Sequence, residues 1–259
     1  MSDDLFRPFL ERPDRAGIFL DFDGTLSEVV RVPSEARPVQ GARELLAELG
    51  RAYAVVAVVS GRSAHELLEW LGPDIEIWGV HGAQRTVAGN VQLSPAAAPH
   101  GELMRRVHQE AAARVEDLGL DGVIVEDKAV MVTLHYRNAA DTNGARRALN
   151  ELADSLAARH GLIRASGRHA YELRPPVDFT KAAVVLERSR GLAAVAFAGD
   201  DKVDLPAFDA LDELAEQGAA VLRIAVDSDE APPELLRRGD VVVEGPKGAL
   251  DFLSRFLPG

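Results

Sequence analysis

Ile18-Phe19-Leu20-Asp21-Phe22-Asp23-Gly24-Thr25 decides the reading of this chain: an apolar run stops abruptly at two carboxylates on alternate positions, then a glycine and a hydroxyl. Such a run is a buried strand carrying charge to its own C-terminal edge. In an open parallel sheet the crevice beyond the strand ends is where ligands bind, which sets Asp21 and Asp23 at the mouth of a site. Gly24 lets the chain turn away at once. An Asp-Gly pair also makes an ordinary turn, and that explanation asks for nothing further along the chain. The functional explanation asks for a cation, a phosphate clamp and more carboxylates at later strand ends.

Outward from this stretch the pattern is that of an α/β protein with a Rossmann-like parallel-sheet core. Strands are predicted over 17–22, 53–59 and 75–80, alternating with helices over 39–49 and 64–71. The segment Ser94-Pro95-Ala96-Ala97-Ala98-Pro99 reads as a connection, and beyond it the order changes. A helix over 102–118 leads into strands over 123–126 and 130–136. A second helix over 143–158 leads into strands over 162–165 and 170–173. Two helix-then-hairpin units predict an α+β module with an antiparallel sheet. After Arg174-Pro175-Pro176 the alternation resumes, with helices over 181–189 and 204–216 and strands over 194–198, 220–226 and 241–243. The expectation is a discontinuous core, 1–84 and 176–259, carrying an inserted α+β cap, 85–175.

Three further segments of the core carry chemistry. Val58-Val59-Ser60-Gly61-Arg62 ends the second strand with a hydroxyl, a glycine and a cation, Lys181 opens a helix, and Gly199-Asp200-Asp201-Lys202-Val203-Asp204 ends a later strand with carboxylates. Each has an ordinary explanation alone, as a turn, a solvated lysine or a helix cap. Together, in this order and at these places, they suit phosphoryl transfer, which depends on positioning and on stabilising charge around phosphate oxygens. Ser60 and backbone amides near Asp23 and Gly24 are candidate hydrogen-bond donors, and Lys181 supplies a positive charge. A carboxylate nucleophile facing a phosphate dianion needs its charge offset. An oxygen-only donor set points to Mg²⁺, with Asp21 and Asp200 as the natural ligands.

The four segments resemble the motifs of the haloacid dehalogenase-type phosphatase superfamily. That resemblance implies that Asp21 attacks phosphorus to form an aspartyl-phosphate. It further implies that Asp23 acts as acid and base while its backbone carbonyl completes the metal shell, and that Thr25 joins Ser60 and Lys181 around the phosphate. Asp201 and Asp204 would be supporting carboxylates, either of them also a potential direct ligand. Four more patterns are similar to the trehalose-6-phosphate phosphatase family: Gly79-Val80-His81-Gly82-Ala83, Val125-Glu126-Asp127-Lys128, Leu134-His135-Tyr136-Arg137 and Tyr171-Glu172-Leu173-Arg174-Pro175. By this second resemblance Glu126, Lys128 and Glu172 bind sugar hydroxyls, and Arg62, His81 and Gly82 complete the substrate-binding set. His135 and Arg137 read as structural. The chain departs from the family where Val203-Asp204-Leu205 replaces Thr-Asp-Glu and where Ala182 replaces the glycine after Lys181.

The whole composition narrows the rest. A formal net charge of −12 with scattered Lys and Arg argues against a nucleic-acid footprint. The absence of cysteine excludes disulfides and thiolate chemistry. The acidic opening Met1-Ser2-Asp3-Asp4-Leu5 lacks a signal-peptide pattern and no apolar stretch suits a membrane span, so a cytoplasmic protein is expected. The family resemblance implies Mg²⁺-dependent hydrolysis of trehalose 6-phosphate, with a functional link to a sugar-phosphate synthase. Its rivals are another sugar-phosphate phosphatase, acting on sucrose phosphate or mannosyl-3-phosphoglycerate, a phosphomutase, or a non-catalytic sugar-phosphate sensor.

Overall fold

The opening apolar run lies in β1 (Ala16–Leu20), a strand buried along its whole length. The structure is a computed structural model that describes residues 3–30, 33–167, 169–177 and 179–257. Met1 and Ser2 of the acidic opening, and Asp178 near the expected second crossing, lie outside the described residues. A short helix, α1 (Arg7–Glu11), precedes β1. The chain then alternates through α2 (Ala42–Ala52), β2 (Val55–Val59), α3 (Ala64–Leu71) and β3 (Glu76–Gly79). The start of α2 falls three residues beyond the expected 39 because Gly41, at φ 87°, holds left-handed backbone that a right-handed helix cannot include.

Where the sequence suggested that the core ends, a hairpin of β4 (Gln84–Val87) and β5 (Asn90–Leu93) follows. β4 pairs antiparallel with β3, placing Trp78 opposite Arg85 and Gly79 opposite Gln84, so the hairpin extends the core sheet. The chain divides into one unit of residues 1–92 with 179–259 and a second of residues 93–178. The first crossing therefore falls after the hairpin rather than near residue 84.

The second unit contains α4 (Gly101–Asp117), β6 (Ile124–Asp127), β7 (Val132–His135), α5 (Thr142–His160), β8 (Ile163–Gly167) and β9 (Ala170–Arg174). Its four strands are ordered β6-β7-β9-β8, every neighbour antiparallel. Asp141 caps α5 by accepting the Gly144 amide, and Gly161 at φ 65° ends it.

The first unit resumes with α6 (Lys181–Arg188), β10 (Ala194–Gly199), α7 (Leu205–Glu216), β11 (Ala220–Asp227), α8 (Pro233–Arg238), β12 (Val241–Glu244) and α9 (Gly245–Leu253). Its sheet has eight strands in the order β12-β11-β10-β1-β2-β3-β4-β5, parallel from β12 to β3. Strand order reverses between β1 and β10, which makes the C-terminal edge there the place for a ligand crevice. Both faces of the sheet are covered. Ile18, Leu20, Val56 and Val58 pack with Leu46, Leu67 and Phe252 on one side, and Phe19, Ala57, Val59 and Phe197 pack with Val184, Phe208 and Leu211 on the other. Burial on both sides is why the strands read as continuous apolar runs rather than as alternating ones. Among the described residues no helix is long and apolar enough to cross a membrane.

Phe197 is wholly buried and meets Phe208 edge-on at 6.3 Å. Phe197→Ala should destabilise the fold by about 3–5 kcal/mol, read as a lowered denaturation midpoint in urea. A loss below about 1 kcal/mol would show that the layer rearranges to fill the space.

Candidate active site

Parallel pairing carries the site residues to one edge. Leu20 lies opposite both Ala198 and Val58, so the residues just past β1, β10 and β2 emerge side by side. The Asp21 amide still donates to the Ala198 carbonyl at 2.9 Å. The chain then folds back tightly, because the amides of Leu26 and Ser27 both donate to the Phe22 carbonyl. Gly24 is required here for two reasons. Its φ is 71°, and a Cβ on it would stand 1.8 Å from Asp200 Oδ2. The Gly24 amide, expected among donors to a phosphate, is instead bonded to the Ser27 carbonyl at 2.8 Å.

At the centre is a buried ammonium. Lys181 Nζ lies 2.8 Å from Asp21 Oδ1 and 2.6 Å from Asp204 Oδ1. Lys181 reaches this point because Thr180 caps α6, its side chain accepting the Ala183 amide, and so fixes where the helix starts. Asp204 uses its other oxygen to accept the amides of Asp200 (3.0 Å) and Asp201 (3.2 Å). Asp201 is turned away to accept the Val203 amide at 2.8 Å, completing a reciprocal capping box with Asp204.

Burial raises Asp21 well above its ordinary carboxyl range, with Lys181 pulling the other way. Burial likewise pushes Asp200 up to about 7, opposed by a hydrogen bond from Ser228 and reinforced by Asp204. Burial opposes the charge on Lys181, but Asp21 and Asp204 outweigh it and hold the ammonium above its usual range.

Asp21, Asp200 and Asp204 each present an oxygen within 4.8 Å of the others, and all three are buried. Once all three carboxylates are ionised, the single charge of Lys181 leaves two negative charges uncompensated. That excess, an all-oxygen donor set and the close approach of Gly24 fit a hard divalent cation. Asp201 stands outside this cluster.

The remaining core residues surround the same edge. Ser60 is buried and its Oγ accepts the Arg62 amide at 3.2 Å, which leaves the hydroxyl proton to be donated elsewhere. Thr25 is buried too, and its Oγ1 has no hydrogen-bond partner among the described residues. Arg62, expected among substrate-binding residues, forks Asp23, with Nη2 2.7 Å from Oδ1 and Nε 2.8 Å from Oδ2. Its guanidinium lies over Trp70 at 5.2 Å and over Phe22 at 5.7 Å. His81 holds left-handed backbone at φ 55°, between Val80 at φ 49° and Gly82 at φ 108°. A Cβ on Gly61 would meet the His81 ring at 2.8 Å, and one on Gly82 would meet Val184 of α6 at 2.6 Å. The strained segment is thus wedged between the Ser60 loop and the helix that carries Lys181.

In the second unit, Glu126 lies opposite Thr133, which lies opposite Glu172, so the three form one row across β6, β7 and β9. Glu126 accepts from His135 Nε2 at 2.8 Å and lies 3.5 Å from Lys128 Nζ. His135 therefore orients a candidate recognition residue rather than only filling the sheet. Sequence reasoning missed Ser228, whose Oγ donates to Asp200 Oδ2 at 2.7 Å. Its signal was its place just past the apolar run over 220–226, the strand-end position that marks the other site residues.

The trehalose-phosphatase family profile matches residues 19–236, which takes in every one of these groups. The chain belongs to the trehalose-phosphatase family. It is 37% identical over 254 residues to the trehalose-phosphate phosphatase of Mycobacterium avium, covering 92% of this chain and 61% of that protein. It is 34% identical over 270 residues to the same-named protein of Mycobacterium marinum, covering 95% and 64%. The chain thus spans less than two thirds of the length of these trehalose-phosphatase relatives. Among solved structures, a trehalose-6-phosphate phosphatase related protein superposes with a TM-score of 0.66 at 25% identity, over 92% of this chain and 96% of that one. The C-terminal domain of trehalose-6-phosphate phosphatase from C. albicans gives 0.66 at 22% identity, over 97% and 94%, a likeness of fold.

The raised Asp200 predicts how this chain responds to pH. Without a cation the folded protein keeps a proton that the unfolded chain gives up near pH 4, so this group's contribution to stability declines as pH rises from about 4 to about 7. A divalent cation binds only the ionised carboxylates. The rise in melting temperature on adding Mg²⁺ should therefore be larger at pH 8 than at pH 5. An equal shift at both pH values would contradict the cation-binding assignment of this cluster.

Proposed function

We propose that this chain hydrolyses trehalose 6-phosphate to trehalose and inorganic phosphate. The observation that carries the reading is the buried Lys181 ammonium shared by Asp21 and Asp204 beside Asp200, at the topological switch of a chain whose family match spans the core. Asp21 is the nucleophile. A carboxylate oxygen of Asp21 attacks phosphorus, the bond from phosphorus to the sugar oxygen breaks, and Asp23 gives its proton to the departing oxygen. Asp23, now ionised, takes a proton from the water that attacks the aspartyl-phosphate, which restores Asp21 and releases phosphate. Arg62 fixes the orientation of the Asp23 carboxyl group through its two-pronged contact.

Lys181 favours the ionised form of Asp21 against burial and adds positive charge where phosphate oxygens gather. Ser60 and Thr25 supply hydroxyl donors, the first accepting only the Arg62 amide and the second without a hydrogen-bond partner among the described residues. Mg²⁺, held by Asp21, Asp200 and the Asp23 carbonyl, would offset the charge of the phosphate. Asp204 has both oxygens engaged and acts by holding Lys181 and the Asp200 loop.

Sugar recognition is assigned to Glu126, Lys128 and Glu172 of the second unit, and His81 and Gly82 of the first unit are further candidate substrate-binding residues. Charged groups bind hydroxyls strongly where water is excluded, and the row of Glu126 and Glu172 presents two carboxylates to a polyhydroxylated ligand. His135 keeps Glu126 in place.

Phosphate release over a panel of sugar phosphates, with and without Mg²⁺, tests the reaction and the substrate together. Trehalose 6-phosphate should be the preferred member and should need the cation. Asp21→Asn should lower turnover by about 10⁴-fold or more with the circular-dichroism spectrum unchanged. Preference for a different sugar phosphate would retain the chemistry and replace the substrate.

Glu172→Ala should lower kcat/KM for trehalose 6-phosphate by about tenfold to a hundredfold while leaving hydrolysis of a small aryl phosphate within about twofold. Equal losses on both would remove Glu172 from sugar recognition.

A further inference from the structure

β11 runs parallel to β10 with Ala225 opposite Gly199, so Asp200 and the residues that follow β11 leave the sheet at the same edge. Ser228, the first residue after β11, arrives against Asp200, with Oγ 2.7 Å from Oδ2. A serine hydroxyl has one proton and two lone pairs. Ser228 Oγ already accepts the Glu230 amide at 3.1 Å, and an ionised carboxylate can only accept, so the proton is committed to Asp200. Among the described residues Ser228 is the sole hydrogen-bond donor to the Asp200 side chain. The other wall is Gly24, whose Cα comes so close that a side chain there would overlap the Asp200 carboxylate. Asp200 is 2% exposed, so bulk solvent scarcely reaches its carboxylate.

We infer that Ser228 is a positioning residue for the divalent cation, holding Asp200 by Oδ2 so that its remaining lone pairs face the cation in one fixed orientation. This rests on the reading of the Asp21, Asp200 and Asp204 cluster as a cation site. A ligating carboxylate is fixed by its own hydrogen bonds, and losing such a partner typically weakens metal binding by about 10–100-fold. Ser228 thus makes β11 a contributor to the site, beyond the four segments that carry the motifs.

Cation binding by the full chain without substrate, measured by isothermal titration with Mg²⁺ and by Mn²⁺ paramagnetic resonance, separates this role from that of a mere turn residue. Ser228→Ala should raise the dissociation constant about tenfold or more, whereas Ser228→Thr, which keeps the hydroxyl, should stay within about threefold of wild type. Should Ser228→Ala fail to fold, Ser228→Cys, close in size with only a weak S–H donor, carries the same expectation as alanine. Wild-type affinity in the alanine or cysteine variant would overturn the role of Ser228 alone. Absence of cation binding by the wild-type protein would remove the cation site, and the inference with it.

Discussion

A single ammonium group, Lys181 Nζ, organises the core of this protein by answering to Asp21 and Asp204 at once. None of the three is comfortable alone. A buried charge without its partner typically costs about 3–5 kcal/mol, so removing any one of the three leaves the others at a loss. The arrangement is also economical in geometry. Asp21 ends β1, Asp204 closes the loop after β10, and Lys181 begins α6, so one ion cluster registers two central strands and a helix. Asp204 transmits that order to Asp200 through backbone amides, and Asp200 receives a further restraint from Ser228. With all three carboxylates ionised the cluster would hold more negative than positive charge, and burial keeps protons on Asp21 and Asp200 against that excess. A protein can tolerate that imbalance in its interior when the excess serves a ligand that brings positive charge with it.

Much of this was legible from residue types, and the parts that were not have physical reasons. The ends of β1, β2 and β10 could be read because apolar strands that stop at charged or hydroxyl residues leave a sharp boundary. The β4–β5 hairpin could not. Its turn is Ala88-Gly89, both at positive φ, where the usual signal would be Asn-Gly or Asp-Gly, and β4, Gln84-Arg85-Thr86-Val87, does not alternate polar and apolar residues. Glycines at 24 and 41 were equivalent as letters, but one abuts a carboxylate and the other stands in open space. The pairing of Arg62 with Asp23 was also hidden, since sequence order says nothing of which of several nearby anions a guanidinium will choose. Ser228 stands at a strand end like the other site residues, but a serine past a strand is common, and its hydrogen bond to Asp200 is what sets it apart.

The second unit obeys a different logic. Its recognition candidates Glu126 and Glu172 lie on two strands of an antiparallel sheet, β6 and β9, and come into line only through the register of β7 between them, Glu126 to Thr133 to Glu172. The letters of Val125-Glu126-Asp127-Lys128 therefore carried a family likeness without revealing the row. The buried Thr133 hydroxyl, which has no hydrogen-bond partner among the described residues, sits between the two carboxylates. His135 illustrates how a residue that fills a structural place also sets the direction of a polar neighbour.

The central pairing of the large sheet joins strands far apart in the chain: Ala16 lies opposite Ala194. In stability this separation matters little, because each doubling of a loop adds only about 0.6 kcal/mol to closure. In time it matters more, since distant contacts slow folding. Until the C-terminal part arrives, β1 is a bare apolar edge, and such an edge pairs readily with another chain. The same strand that delivers Asp21 to the site is thus the segment most exposed to misassembly during synthesis.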